Sequence, residues 1–197
     1  MARQKGHVKY VGTIGDIRHF KIKGQTGYFA GLVGGPTGEQ VATAPEFERT
    51  RENMNEFGGS AKAGRSVRSV FSSILGKMTD SQLTGRLTAI MKKINLEDQS
   101  EPRGYRAILI SEQRKYLLGI TFNKNANFDS SFKAGADLVK TIKRGVADYT
   151  VGAFNPMDDI QAPAGATHFR LIFGLGVLSD FAYNATSDTY EPLKPEF

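Results

Sequence analysis

The sequence predicts an α+β protein: an N-terminal β-hairpin with an arm, a central α-helical pair, and a C-terminal antiparallel β-sandwich of immunoglobulin-like or jelly-roll-like type. Three observations predict it. Residues 7–33 alternate apolar and polar positions around glycine-rich turns, the period of half-buried strands. Between residues 43 and 94 the apolar side chains recur at three and four positions, the helical period. From Tyr105 onward, short apolar runs are separated by breaks rich in Asn, Gly and Pro, as in antiparallel sandwiches. The expected segments are 1–44, hairpin and glycine-rich arm; 45–104, helical; and 105–197, the β-sandwich domain.

Within the first segment, Ile17–Val33 reads as a hairpin turning at Gly24-Gln25-Thr26-Gly27. An isolated hairpin is marginal in water, so this one must dock on the rest of the chain or on another copy. Its edge is a natural site for strand addition. Gly34–Ala44 (GGPTGEQVATA) is too glycine-rich to hold regular structure unaided and reads as a connecting arm.

The helical segment opens with Thr43 and Glu46 at capping-box spacing and Pro45 in the first turn. Phe47, Thr50, Met54, Phe57 and Ala61 follow helical steps as an apolar face, continued by Gly64, Val67, Phe71 and Ile74. Gly58-Gly59 costs a continuous helix about 1 kcal/mol per glycine relative to alanine. The pair predicts either a break near Gly58 or one helix whose small residues, Gly58, Gly59 and Gly64, admit another backbone closely. Lys62, Arg65 and Arg68 form a basic stripe. Beyond Gly76, Thr79 or Asp80 caps a second helix with Leu83, Leu87, Ile90, Met91 and Ile94 on its apolar face, ending before Asn95.

In the third segment the expected strands include Ala107–Ile110, Tyr116–Phe122, Phe128–Ala134, Leu138–Ile142, Ala147–Phe154 and His168–Leu178. A turn is expected at Arg144-Gly145. Ser179–Tyr183 and Thr189–Leu193 would close the sheet as a hairpin.

Composition bounds the chemistry. Of 197 residues, 40% are hydrophobic and 23% charged, as in folded rather than disordered chains. With no cysteine, disulfides, thiolate metal sites and cysteine nucleophiles are excluded. His7, His19 and His168 have no metal-ligand spacing, and no phosphate-loop, dinucleotide or nucleophile-elbow motif occurs. No cofactor is therefore expected. The basic N-terminus lacks a following apolar run, so no secretory signal is visible. No 18-residue apolar stretch predicts a spanning helix. The expected location is cytoplasmic, or exported or virion-associated by a signal-less route.

Net charge is +6, unevenly spread. Residues 1–93 carry 15 Lys/Arg against 7 Asp/Glu, and residues 94–197 carry 11 against 13. This asymmetry fits either a nucleic-acid contact or the basic half of one copy meeting the acidic half of the next.

The run PEFERTRENMNEFGGSAKAG, with Phe154–Pro156 (FNP) and Ala162–Phe169 (APAGATHF) downstream, resembles an uncharacterised protein family widespread in Bacteroidota. Its segment P-x-F-x-R-T-R-E-N-x-x-E-F-G-x-x-x-K-A-G is matched by Pro45, Phe47, Arg49 to Asn53, Glu56 to Gly58 and Lys62 to Gly64. Gly59 departs from it and puts a continuous helix in doubt. The resemblance implies no activity and no catalytic residue. It implies small proteins pairing a helical segment with a β domain, an organisation suited to a building block.

The expected function is a non-enzymatic structural protein whose partners are other copies of itself, assembled as a filament, tube or virion-like array. The alternative is a basic nucleic-acid-binding accessory protein. Lys62, Arg65, Arg68, Arg49 and Arg51 are the candidate contacts for either.

Overall fold

Glycine placement sets the turns of the N-terminal sheet. In the computed structural model, which describes residues 1–76, 80–124, 126–140 and 146–195, β2 (Gly12–Ile14) and β3 (Ile17–Phe20) pair antiparallel with Ile14 opposite Ile17. The two-residue turn between them needs a positive φ at its first position, and Gly15 supplies it at 57°. The expected hairpin is present: β3 pairs with β4 (Phe29–Leu32), Phe20 opposite Phe29. β1 (Ala2–Arg3) completes an antiparallel sheet of order β1-β4-β3-β2.

The arm differs from expectation. Residues 38–43 form a short helix, α1 (Gly38–Thr43), capped by Thr37, whose hydroxyl accepts from Gln40 N while the Gln40 side chain accepts from Thr37 N. This capping box lies six residues earlier than the Thr43/Glu46 pair predicts. Thr43 ends a helix instead of starting one, its hydroxyl donating to the Glu39 carbonyl. Reciprocal capping satisfies two otherwise orphan donors, which outweighs the glycine content of the segment. Pro45 does occupy an initial position, in the 3-10 turn Pro45–Phe47.

The chain forms two compact units, Met1–Glu48 and Arg49–Phe197. The first contains no buried residue.

In the second unit, α2 (Glu48–Val70) is one uninterrupted helix of 23 residues. The break near Gly58 does not occur; of the three glycines, Gly64 alone meets another backbone closely, while Gly59 meets the Tyr190 ring and Gly58 meets nothing. The first part of the expected apolar face, however, is turned outward, with Met54 and Phe57 61% and 60% exposed, whereas Gly64 and Val67, which continue it, are buried. The buried face consists of Glu56, Gly59, Ser60, Ala63, Gly64 and Val67. Small side chains let neighbouring elements approach the helix axis, and close approach excludes large residues from that face. A cβ at Gly64 would lie 3.3 Å from the backbone nitrogen of Thr88, so the second helix, α4 (Leu83–Glu97), crosses there.

A short α3 (Ser72–Leu75) follows α2. On α4, Leu83, Leu87, Met91 and Ile94 are buried and Ile90 is partly so, as the periodicity predicts. The N-cap is Gln82, with no side-chain capping bond; Asp80 instead shapes the turn before it, its carboxylate accepting from Gln82 N at 2.8 Å, and Thr79 lies outside the described residues. α4 runs on through Asn95 to Glu97 because Asn95 is wholly buried with side-chain partners.

The core joins Ala63 and Val67 of α2 and the α4 face to Ile108, Ile110, Phe181 and Tyr190. Segments 45–104 and 105–197 thus contribute to one core. Phe181 and Tyr190 lie on β7 (Phe181–Asn184) and β8 (Thr189–Pro192), the expected closing hairpin. Ile108 bridges Phe181.

The remaining described strands form one further two-stranded ladder, β5 (Ala136–Lys140) with β6 (Ala147–Val151). A closed sandwich is not among them. Tyr116–Phe122 begins within a 3-10 turn, Arg114–Leu117. Phe128–Ala134 begins as a helical turn, α5 (Phe128–Ser131), with Asn127 capping it, and a second Asn-capped turn, α6 (Pro156–Asp159), follows β6. Residues 141 and 142 and the turn at Arg144-Gly145 lie outside the described residues. Among the described residues, no helix is long and apolar enough to cross a membrane.

Candidate functional site: the polar clasp and flanks of the central helix

The N-terminal half of α2 carries charged and polar side chains that converge on the loop between α4 and Ile108. Glu56, 1% exposed, sits at the centre. Its Oε1 accepts from Gly104 N at 2.8 Å, and its Oε2 pairs with Lys92 Nζ. Arg106 Nε lies 3.8 Å from the same carboxylate. Lys92 also donates to Asn95 Oδ1 at 2.9 Å, and Asn95 Nδ2 donates to the Arg106 carbonyl at 2.6 Å. A buried charge is tolerable only when paired and hydrogen-bonded; Glu56 has both.

One turn earlier, Glu52 pairs with Arg49 at 2.9 Å and Arg103 at 3.2 Å. Asn53 accepts from Arg103 at 3.0 Å, and Asn55 donates to the Gly104 carbonyl at 2.7 Å. Gly104 is required: its φ is 99°, and a Cβ would come 3.0 Å from Glu52 Cγ. Asp98 fixes the loop from the other end, accepting from Ser100 N at 2.9 Å, Ser100 Oγ at 2.6 Å and Ala107 N at 2.6 Å. Burial alone would raise the Asp98 pKa, but these hydrogen bonds outweigh it and hold it below the ordinary 3.8.

Tyr190 closes the clasp from β8. Its hydroxyl donates to the Arg106 carbonyl at 2.9 Å. Burial, followed by the nearby Glu56 carboxylate, pushes its pKa far above 10.0, keeping it a neutral donor. The ring rests on Gly59, where a Cβ would lie 2.6 and 2.7 Å from Cδ2 and Cδ1. Each Glu56 oxygen already has a protein partner, so the arrangement works as a fastening of α2, α4, the loop and β8.

The predicted contact residues are distributed around this clasp. Arg49 is exposed beside Glu52, and Arg51 is half-buried. Lys62 reaches β8, donating to Thr189 Oγ1 and lying 3.4 Å from the Tyr190 carbonyl. Arg65 is exposed. Arg68 is half-buried, its Nη1 sealed from solvent without a hydrogen-bond partner. Lys62 and Arg65, with Ser66, Ser69, Val177 and Leu178, line a groove of about 330 Å³. Of the glycines, Gly59 and Gly64 are buried at contacts, whereas Gly58 faces open space.

Beyond the other end of α2 lies an apolar cavity of about 520 Å³, lined by Phe71, Ile74, Leu75, Ile120, Phe122 and Phe128 among others. Among the described residues no His/Asp/Glu cluster could hold a metal ion.

Sequence reasoning missed Glu56, Lys92, Asn95 and Asp98. The available signals were the turn-forming Asp98-x-Ser100 pair and the Arg103-Gly104-Tyr105-Arg106 stretch after Pro102. Comparison of the chain with known protein families, curated proteins and solved structures found no match.

Proposed function

We propose that this chain is a non-enzymatic structural subunit that self-associates head to tail into a homo-oligomeric assembly, such as a filament, tube or virion-like array. One observation carries the reading. The unit Met1–Glu48 builds four strands and a helix without burying a single residue. Val8, Val11 and Leu32 are 65%, 67% and 80% exposed. Ordering backbone costs about 1–2 kcal/mol per residue, and a sheet offsets this only by covering an apolar face. Other copies supply that cover.

Charge supports the orientation. Residues 1–33 hold six Lys/Arg against one Asp, a net of +5, while residues 94–197 carry −2 by the count given above. A contact between unlike surfaces leaves a free surface of each kind and propagates. The strand pairs of 105–197 would complete a sandwich of immunoglobulin-like or jelly-roll-like kind across copies. Lys62 engages β8 acceptors of its own chain and Arg68 is half-buried, so the three cations do not stand as an evenly spaced phosphate-reading stripe.

Sedimentation and negative-stain microscopy across protein concentration and ionic strength test the reading. Oligomers are expected that weaken as salt rises. A monomer under all of these conditions overturns it. So does assembly that occurs only when nucleic acid is added.

A further inference from the structure

Residues 168–178, HFRLIFGLGVL, alternate large apolar side chains at Phe169, Leu171, Phe173, Leu175 and Val177, the period of a strand. The structure leaves this run outside every helix and strand. Among the described residues, none of its backbone groups makes a hydrogen bond to another backbone group. The five side chains remain 38% to 52% exposed.

The run is nevertheless held in place. A Cβ at Gly174 would meet Ile74 Cδ1 at 2.6 Å, and one at Gly176 would overlap the Val70 side chain. Phe173 stacks on Tyr149 with ring centroids 5.2 Å apart, and Phe169 meets Phe154 at 5.9 Å. Backbone donors and acceptors require partners, and an anchored run with open ladder groups is half of a β pairing.

We infer that residues 168–178 are a strand supplied in trans, adding to the β2 edge of the N-terminal sheet on a second copy. This rests on the self-association reading above and specifies its contact. β2 is an edge strand of the order β1-β4-β3-β2, with Val11 just before it and Ile14 at its end exposed at 67% and 58%. The opposite edge, β1, offers two residues. Charge fits as well. Residues 155–180 carry three Asp against Arg170, a net of −2, facing the net +5 of residues 1–33. Main-chain bonds give such a pairing its strength, and alternate side chains give it register.

The absence of cysteine from the chain makes disulfide trapping clean. Copies carrying Thr13→Cys are mixed with copies carrying one cysteine at each position from 169 to 175 in turn. Directly opposed residues alone meet the roughly 4.4–6.8 Å Cα separation of a disulfide. A mixed dimer peaking at one position and falling at its neighbours is expected. Leu171→Cys copies that link to each other in preference to Thr13→Cys overturn the assignment of the β2 edge. Leu175→Pro, which removes a ladder donor at a 51% exposed position, is expected to raise the concentration needed for assembly at least about tenfold, with thermal unfolding unchanged. If Leu175→Pro particles match wild type and no mixed disulfide forms, the strand inference fails while self-association stands. If wild type never assembles, the underlying reading fails first.

Discussion

Adjacent glycines in α2 should respond to the same substitution with opposite signs. At Gly58 a Cβ meets nothing within 4 Å, so Gly58→Ala adds only helix propensity and a stiffer unfolded chain, stabilising by about 0.5–1 kcal/mol. At Gly59 the added methyl collides with Cγ, Cδ1 and Cδ2 of Tyr190. That ring is 2% exposed and tethered through its hydroxyl to the Arg106 carbonyl, so it cannot swing aside freely. Overpacking of this kind costs about 1–3 kcal/mol, of which propensity returns about 1. Gly59→Ala should therefore destabilise by up to about 2 kcal/mol, leaving the two variants about 0.5–3 kcal/mol apart. For a unit of this size about 2–4 °C of Tm corresponds to each kcal/mol, so calorimetry should separate them by about 1–12 °C, with Gly58→Ala the higher. Tyr190→Ala should erase the Gly59→Ala penalty, a non-additivity expected of residues in contact. Equal melting of the two single variants would refute the seating of Tyr190 on α2.

Glu56→Ala leaves Lys92 and the Gly104 amide without their buried partner and should lower stability by about 3–5 kcal/mol in urea titrations; Glu56→Gln, which keeps an acceptor, should lose less. Asp98 has a folded-state pKa below its ordinary value, so its contribution is present above about pH 4 and is lost as pH falls through the folded value. Asp98→Asn should flatten that acid limb and destabilise at neutral pH by about 1–3 kcal/mol, both read from urea midpoints against pH.

Periodicity made α4 legible because its buried residues are large and apolar: Leu83, Leu87, Met91 and Ile94 announce their face. The hairpin was legible because Gly24 and Gly27 mark its turn. α2 was legible as a helix but not in its orientation. Its interior face is Glu56, Gly59, Ser60, Ala63, Gly64 and Val67; the apolar period reaches Gly64 and Val67 but leaves Glu56 and Ser60 outward and claims the exposed Met54 and Phe57 for the core. A face that packs by closeness rather than by bulk gives no apolar stripe. The clasp was hidden for a related reason. Glu56 and Gly104 lie 48 residues apart, and no local rule links them. In the C-terminal half, short apolar runs suit strands, tight helical turns and unpaired extended chain equally. Asn127 and Asn155, as caps, turned two of these neighbourhoods helical.

The closure of α2 by β8 also fixes an order of events during folding. Lys62 and Thr189 are separated by 127 residues, and Tyr190 and Arg106 by 84. Contacts so distant along the chain form late, because loop-closure entropy must be met before they contribute. The α2–α4 pair and its Glu56 loop can organise from nearer segments, while the slot above Gly59 stays vacant until the β7–β8 hairpin is made. A nascent chain still short of Tyr190 therefore presents that slot to the solvent, and the core is sealed last from the side the helix alone cannot fill.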